Sequence, residues 1–388
     1  MGSINLKHTG SGSAIALSSD GTSLLLDGTA IGGGGGGSPD LFAENYDGTS
    51  TKPSATGLNA IALGYDSVAS GTKSLVLLQN GTASGNRALS AGFGSTASGT
   101  NSVAFGSGAV ASGNYSYALG SSTDSTHSYS VAMGYSSQAL ADYSIALGRS
   151  HVSGEEGFAA QIGNSSTSYG ATGANSIGMG YHSRAFGTGA VVIGHNNYSS
   201  GNYAVTLGGT TNTASGIGSF AQGFSCIADG DYSSARGSSG HTDGIRKKHA
   251  VGLISTMQGA YFVLGHNTTD ATPIALNTAT WTPLATNQIT LPNNSVHAFS
   301  GTVVARQQAA DGTASAAWKI EGLIRREANA GSTVLVASTV TAISNTPSWG
   351  LALTADTSFG CLKVEATGAS STDIRWVATI NTSEVTYA

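Results

Sequence analysis

The chain has 388 residues, a formal net charge of −5 and only 10% charged residues, against about 25% in an ordinary globular domain. Its 56 glycines and few aromatics do not suit a helical or α/β enzyme core and point instead to an all-β protein of short strands and tight turns. The mild acidity gives no basis for binding nucleic acid, and no run approaches the ~20 apolar residues of a membrane helix, so membrane insertion is not expected.

Residues 1–31 place short apolar runs, Ala14-Ile15-Ala16-Leu17 and Ser23-Leu24-Leu25-Leu26, between polar ones, and small β-hairpins are expected there. The opening MGSINLKHTG has neither the basic nor the apolar region of a signal peptide, so synthesis in the cytoplasm without one is the expectation. Residues 32–58 form a Gly-rich linker that begins with six consecutive glycines, Gly32–Gly37. No ordered glycine spacing or Lys-Ser/Thr follows, as a phosphate-binding loop requires, so flexibility is the expected role.

From residue 59 to 240 one weak phrase repeats. A short apolar run ends in glycine at Gly64, Gly92, Gly106, Gly120, Gly134 and Gly148, then at Gly163, Gly180, Gly194, Gly208, Gly223 and Gly237; Leu78 stands where one glycine is missing. Ala-Ser-Gly alternates with it, as in Ala97–Gly99 and Ala111–Gly113. Fourteen residues suffice for two short strands and two tight turns, which is one coil of a parallel β-solenoid, and thirteen coils are expected. Steps longer than fourteen predict loops around Glu155–Gly170 and Ala171–Gly187. Runs such as Val103-Ala104-Phe105 and Ile145-Ala146-Leu147 are apolar at consecutive positions, so both faces of that strand ask for cover. The coil interior can fill one face. The other predicts a homo-oligomer.

The phrase S-[VI]-A-[FLM]-G…A-S-G at this period resembles the head repeat of trimeric autotransporter adhesins of the YadA type. That resemblance implies a left-handed parallel β-roll with three chains packed along a common axis.

Residues 241–259 carry the basic run Arg246-Lys247-Lys248, read as a neck or connector in which either an electrostatic join between chains or a solvated turn fits. Residues 260–388 change to long alternating segments, including 296–307, 314–326, 333–341, 351–354 and 374–380, which predict an antiparallel β-sandwich of roughly eight strands. This part resembles the C-terminal domains of phage tail fibres, including Arg375-Trp376-Val377-Ala378 and the closing Thr382–Ala388; residues 40–64 look like the lead-in to adhesin repeats in phage fibres.

No constellation for catalysis stands out. Glu155-Glu156 are neighbours on one loop rather than acids placed across a cleft, the histidines lack ligand spacing, and no nucleophile elbow occurs; no enzyme, cofactor or metal is expected. The two cysteines, Cys226 and Cys361, lie in segments of different character, so no disulfide is expected. Tyr115, Tyr129 and Tyr143 share one coil position and should stack, either locking coils together or lining a groove for sugar rings. Trp349, at a turn, and Trp281 complete the expected receptor contacts.

Taken with the resemblances, these features describe a homotrimeric phage tail fibre, a virion protein. Its N-terminus would join other tail or neck proteins, and its C-terminal domain would adhere to a host surface polysaccharide or outer-membrane component. A bacterial adhesin head, disfavoured by the absent signal peptide and membrane anchor, is one alternative. A structural capsid or neck fibre and a polysaccharide depolymerase are the others.

Overall fold

The computed structural model describes the strand segments at 4–6, 15–19, 24–26 and 29–30, and residues 51–387 except 162, 164–167, 280–281, 309–311, 346 and 348. The chain divides into two compact units, residues 1–136 and 137–388.

In the first unit, Ile4–Leu6, Ile15–Ser19, Leu24–Leu26 and Thr29–Ala30 pair antiparallel in chain order, as the alternation predicts. Three-residue strands from Ile61–Leu63 to Val131–Met133 then stack in parallel, with Leu89, Val103 and Tyr117 in one register column. Two-residue strands from Ser54–Ala55 to Asp124–Ser125 form a second parallel ladder, with Ala83, Ala97 and Ala111 in one column. The middle residue of each long strand points inward, as Ala62, Val76, Ser90, Ala104, Ala118 and Ala132 do, against buried Ala69, Ala83, Ala97 and Ala111. Burying a methyl-sized group contributes only roughly 0.8 kcal/mol. Each coil is therefore stabilised by its neighbours rather than by a core of its own.

Two glycine ladders run along the coils for two different reasons. Gly92, Gly106 and Gly120 have φ of +155°, +126° and +135°, and a Cβ on any of them would lie within 2.2 Å of the next coil's carbonyl oxygen. Gly71, Gly85 and Gly99 have no such φ, yet a Cβ there would lie within 2.0 Å of the carbonyl oxygen of Gly85, Gly99 and Gly113. Close approach alone requires glycine at this second corner. Corner serines complete the turns by donating to the carbonyl three residues back, as Ser95 does to Gly92 (3.0 Å) and Ser102 to Gly99 (2.7 Å).

The second unit opens with the same architecture. Strands from Ile145–Leu147 to Ser234–Ser238 stack in parallel, and those from Gln138–Ala139 to Ile227–Ala228 form the companion ladder. Three expectations about spacing are corrected here: the loop at 171–187 and the rung glycines Gly163 and Gly208. The segment 171–187 has no loop, because Gly170 and Ala171 pair with Arg184 and Ala185 at a regular step of fourteen. The surplus lies earlier: Phe158 pairs with Ile177, so this coil is long between Ala160 and Gly170, where 162 and 164–167 fall outside the described residues. Gln161, with φ of +55°, turns the chain after Phe158–Ala160, and its amide donates to Leu147; Gly163 is not the rung glycine. At the 208 corner the ladder position belongs to Gly209, whose Cβ would sit on the Gly223 carbonyl oxygen; around Gly208 there is open space. A register shift between Ile193 and His195 takes up the extra residue.

The solenoid sheet continues past Gly240. His249–Ile254 pairs in parallel with Ser234–Ser238 and then antiparallel with Met257–Thr268. From there the long sheet runs Met257–Thr268, Ile374–Thr386, Ser295–Gln307, Ser315–Arg326, Val334–Ser344, all antiparallel. A smaller antiparallel sheet joins Ile274–Ala275, Ile289–Thr290, Cys361–Thr367 and Gly350–Asp356. One core, including Phe262, Val303, Trp318 and Ile380 from the long sheet and Leu362 and Val364 from the small one, joins the two.

Candidate functional site

The tyrosines occupy the residue of the coil that adopts left-handed φ, at +57° for Tyr115, +58° for Tyr129 and +58° for Tyr143. Lys73, Arg87 and Asn101 hold the same conformation in earlier coils. Tyr115 and Tyr129 stack with ring centroids 5.0 Å apart and planes 1° from parallel, and both remain about half exposed. Stacked faces cover one another, so this pair offers a ligand mainly its edges. Tyr143 belongs to the second unit and is also exposed.

Trp349 is not a surface residue. It is 5% exposed and packs against Trp376, 5.9 Å away, which in turn stacks on Trp318 at 5.5 Å. The reason is local: Asn345 receives the Trp349 amide on its Oδ1 (3.0 Å) and donates its Nδ2 to the Trp349 carbonyl (2.9 Å), turning the ring inward. Trp281 lies outside the described residues.

The basic run 246–248 divides: Lys247 sits exposed at a turn, while Arg246 and Lys248 are held by carboxylates of the same chain. Lys248 is fully buried, with its Nζ 2.6 Å from Asp243 and 2.8 Å from Glu384. Burial opposes its charge, but the carboxylates of Glu384 and Asp243 outweigh burial and hold its pKa above the ordinary lysine value. Burial likewise pushes Glu384 upward, and Lys248 reverses this, bringing it down to about 2. Glu384 also accepts from Gln258 (2.7 Å) and Thr382 (2.7 Å). Beside it His297 is buried with neither ring nitrogen hydrogen-bonded, its Nδ1 4.0 Å from Glu384, and burial lowers its pKa to about 4. His241 bridges Asp229 (3.1 Å) and Asp243 (3.2 Å), and the Asp229 hydrogen bond raises its pKa. Lys248, Arg246 and His241 each face a carboxylate of the same chain, which makes this an intrachain clamp. No spacing rule pairs Lys248 with a carboxylate 136 residues away.

Three hollows in the second unit differ in how their polar groups are used. Around Arg246, a hollow of about 290 Å³ is lined by Asp229, Asp231, Thr286 and Asn287. Its side chains are already engaged: Arg246 with Asp231 (3.1 Å), Asp229 with His241, and Asn287 with Leu284 and Thr282. A smaller one, about 130 Å³, lies among Asn267, Gln308, Asp373 and Arg375. The third, about 310 Å³, lies on the outer face of the long sheet and is lined by Ser300, Thr302, Lys319, Glu321, Thr379 and Asn381. Among the described residues, none of these six side chains makes a hydrogen bond or ion pair. Register arranges them in two cross-strand rows: Glu321, Ser300, Asn381 and Tyr261 in one, Lys319, Thr302, Thr379 and Val263 in the other.

The long-strand residues flanking the coil interior form the remaining surface of interest. Phe105 is 59% exposed, and Met133, Ile145, Met179 and Ile193 are also exposed, at positions that recur coil by coil.

Seven stretches match the family described as YadA head domain repeat (2 copies): residues 55–77, 83–109, 97–123, 111–135, 128–150, 171–197 and 187–210. These stretches of the solenoid are thus similar to YadA head repeats. No curated protein matches the chain. The repeat and the solenoid fold suggest a structural and adhesive role.

Proposed function

We propose that this chain is a homotrimeric adhesion fibre, with the solenoid as spacer and the C-terminal sandwich as the part that meets a cell surface. The observation that carries this reading is the outward apolar side chain repeated in coil after coil. A single chain leaves these groups in water, and contiguous exposed apolar surface marks an interaction site. Identical repeats present identical edges, so further copies of the chain are the simplest cover. Three tips on one fibre multiply a weak contact through effective concentration.

We place the fibre on a phage tail, where the N-terminal hairpins would join the virion and the sandwich would face the host. The resemblance of residues 260–388 to phage fibre tips supports this placement. The YadA head repeats support a second reading, the head of a bacterial adhesin. Purified full-length protein separates the two when added to candidate host cells before phage. A tail fibre saturates the receptor and blocks adsorption; a bacterial adhesin head leaves adsorption unchanged while binding its own target surface.

A further inference from the structure

We propose that the outer-face hollow centred on Ser300 and Thr302 is a binding site for a neutral saccharide. This rests on the adhesive reading above and assigns its ligand class and residues.

The hollow has a structural cause. Ser300 and Thr302 project from the central strand Ser295–Gln307, and both carry short hydroxyl side chains. Their register neighbours on one side are the long Glu321 and Lys319, and on the other Asn381 and Thr379. The longer Glu321, Lys319 and Asn381 beside these short groups make a trough floored by the hydroxyls of Ser300, Thr302 and Thr379 and walled by a carboxylate, an ammonium and an amide. Neighbouring strands lie about 4.8 Å apart, so each four-strand row is about 14 Å long, the length of a short oligosaccharide.

The chemistry of the lining selects the ligand. A carboxylate accepts, an ammonium donates, and hydroxyl and amide groups do both. That mixture matches the hydroxyls of a sugar, each of which is donor and acceptor. One positive and one negative side chain leave the trough without net charge, so an anionic ligand gains nothing that the carboxylate does not oppose. Tyr261 and Val263 follow Asn381 and Thr379 in the two rows, both partly exposed, and offer an apolar margin for the C–H face of a sugar ring. The contrast with the Arg246 hollow guides the choice of site: there Arg246, Asp229 and Asn287 already have partners, whereas here no hydrogen bond or ion pair among the described residues engages the six side chains.

Full-length protein on an array of neutral hexose and N-acetylhexosamine oligosaccharides, beside sialylated and sulfated ones, tests the assignment. Binding to a subset of the neutral glycans is expected, weakened at least tenfold by Ser300→Ala with Thr302→Val and by Asn381→Ala. Arg325→Ala, on the same strand as Lys319 but outside the trough, should leave binding unchanged. Absence of neutral binding, preference for the anionic glycans, or a trough variant with wild-type unfolding that binds as wild type would each overturn the proposal. Cell adherence is measured in parallel. Trough variants that adhere to cells like wild type overturn the site and leave the adhesive reading standing. Neutral-glycan binding lost in the variants, with no adherence by wild type, keeps the site and removes the adhesive reading.

Discussion

Lys248 and Glu384 are 136 residues apart in the chain, yet their charged atoms meet at 2.8 Å with side-chain exposures of 0% and 2%. The pair joins the last coil's lead-in to the closing strand of the sandwich, beside the point where parallel pairing gives way to antiparallel. Removing one partner of a buried pair leaves the other charge without compensation, which costs about 3–5 kcal/mol. Lys248→Met should lower the urea midpoint of unfolding accordingly. The double variant Lys248→Met with Glu384→Leu should recover much of the loss, and additive losses would contradict the clamp.

Acid should loosen the same junction. His297 has a folded pKa of about 4 against 6.5 unfolded, and Glu384 about 2 against 4.5. Both are depressed in the folded state, so between the two values the unfolded chain binds more protons and stability rises with pH. The His297 contribution is fully present above pH 6.5 and is lost toward pH 4; that of Glu384 is lost between 4.5 and 2. Glu384, Lys248 and Asp243 are the charges that act on His297. Stability measured by urea unfolding should fall between pH 6.5 and 4, and His297→Leu should flatten that slope. Because neither ring nitrogen has a hydrogen bond to lose, this variant should unfold at neutral pH near the wild-type midpoint. An unchanged slope would exclude His297 as the source. His241 works in the opposite sense: its raised pKa gives stability that is present below pH 6.5 and lost as pH rises through the folded value.

Leu78 occupies a glycine rung with φ of +80° and is 62% exposed. A left-handed backbone costs a residue with a Cβ roughly 1–2 kcal/mol, and glycine's larger unfolded entropy returns part of that. Leu78→Gly should therefore stabilise the first unit by about 1 kcal/mol, read as a higher thermal midpoint. Gly92→Ala, with a Cβ 2.2 Å from the Gly106 carbonyl oxygen, should destabilise it by about 1–3 kcal/mol or more.

Much of the solenoid was legible in the sequence, because its rules are local and repeat every fourteen residues. The corner glycines and the shared tyrosine column follow from one phrase; the left-handed φ of that column does not. Reading failed where one residue type serves two purposes. Gly163 and Gly208 are glycines near a corner, but Gln161 turns one chain segment and Gly209 meets the next coil in the other; a glycine letter does not distinguish special φ from close approach. Trp349 failed for a related reason. A turn-like sequence placed it outside, while the paired hydrogen bonds of Asn345 fold it into the core. The clamp and the saccharide trough depend on strand register across more than fifty residues of chain, from Ser300 to Thr379 for example. No spacing within a single sequence carries that information.

The most direct test of the central claim, that copies of this chain cover one another's apolar coil positions, is the molar mass of the full-length protein by light scattering at micromolar concentration. A mass about three times the chain's 38.5 kDa is expected, whereas a stable monomer with its coils folded would contradict the claim.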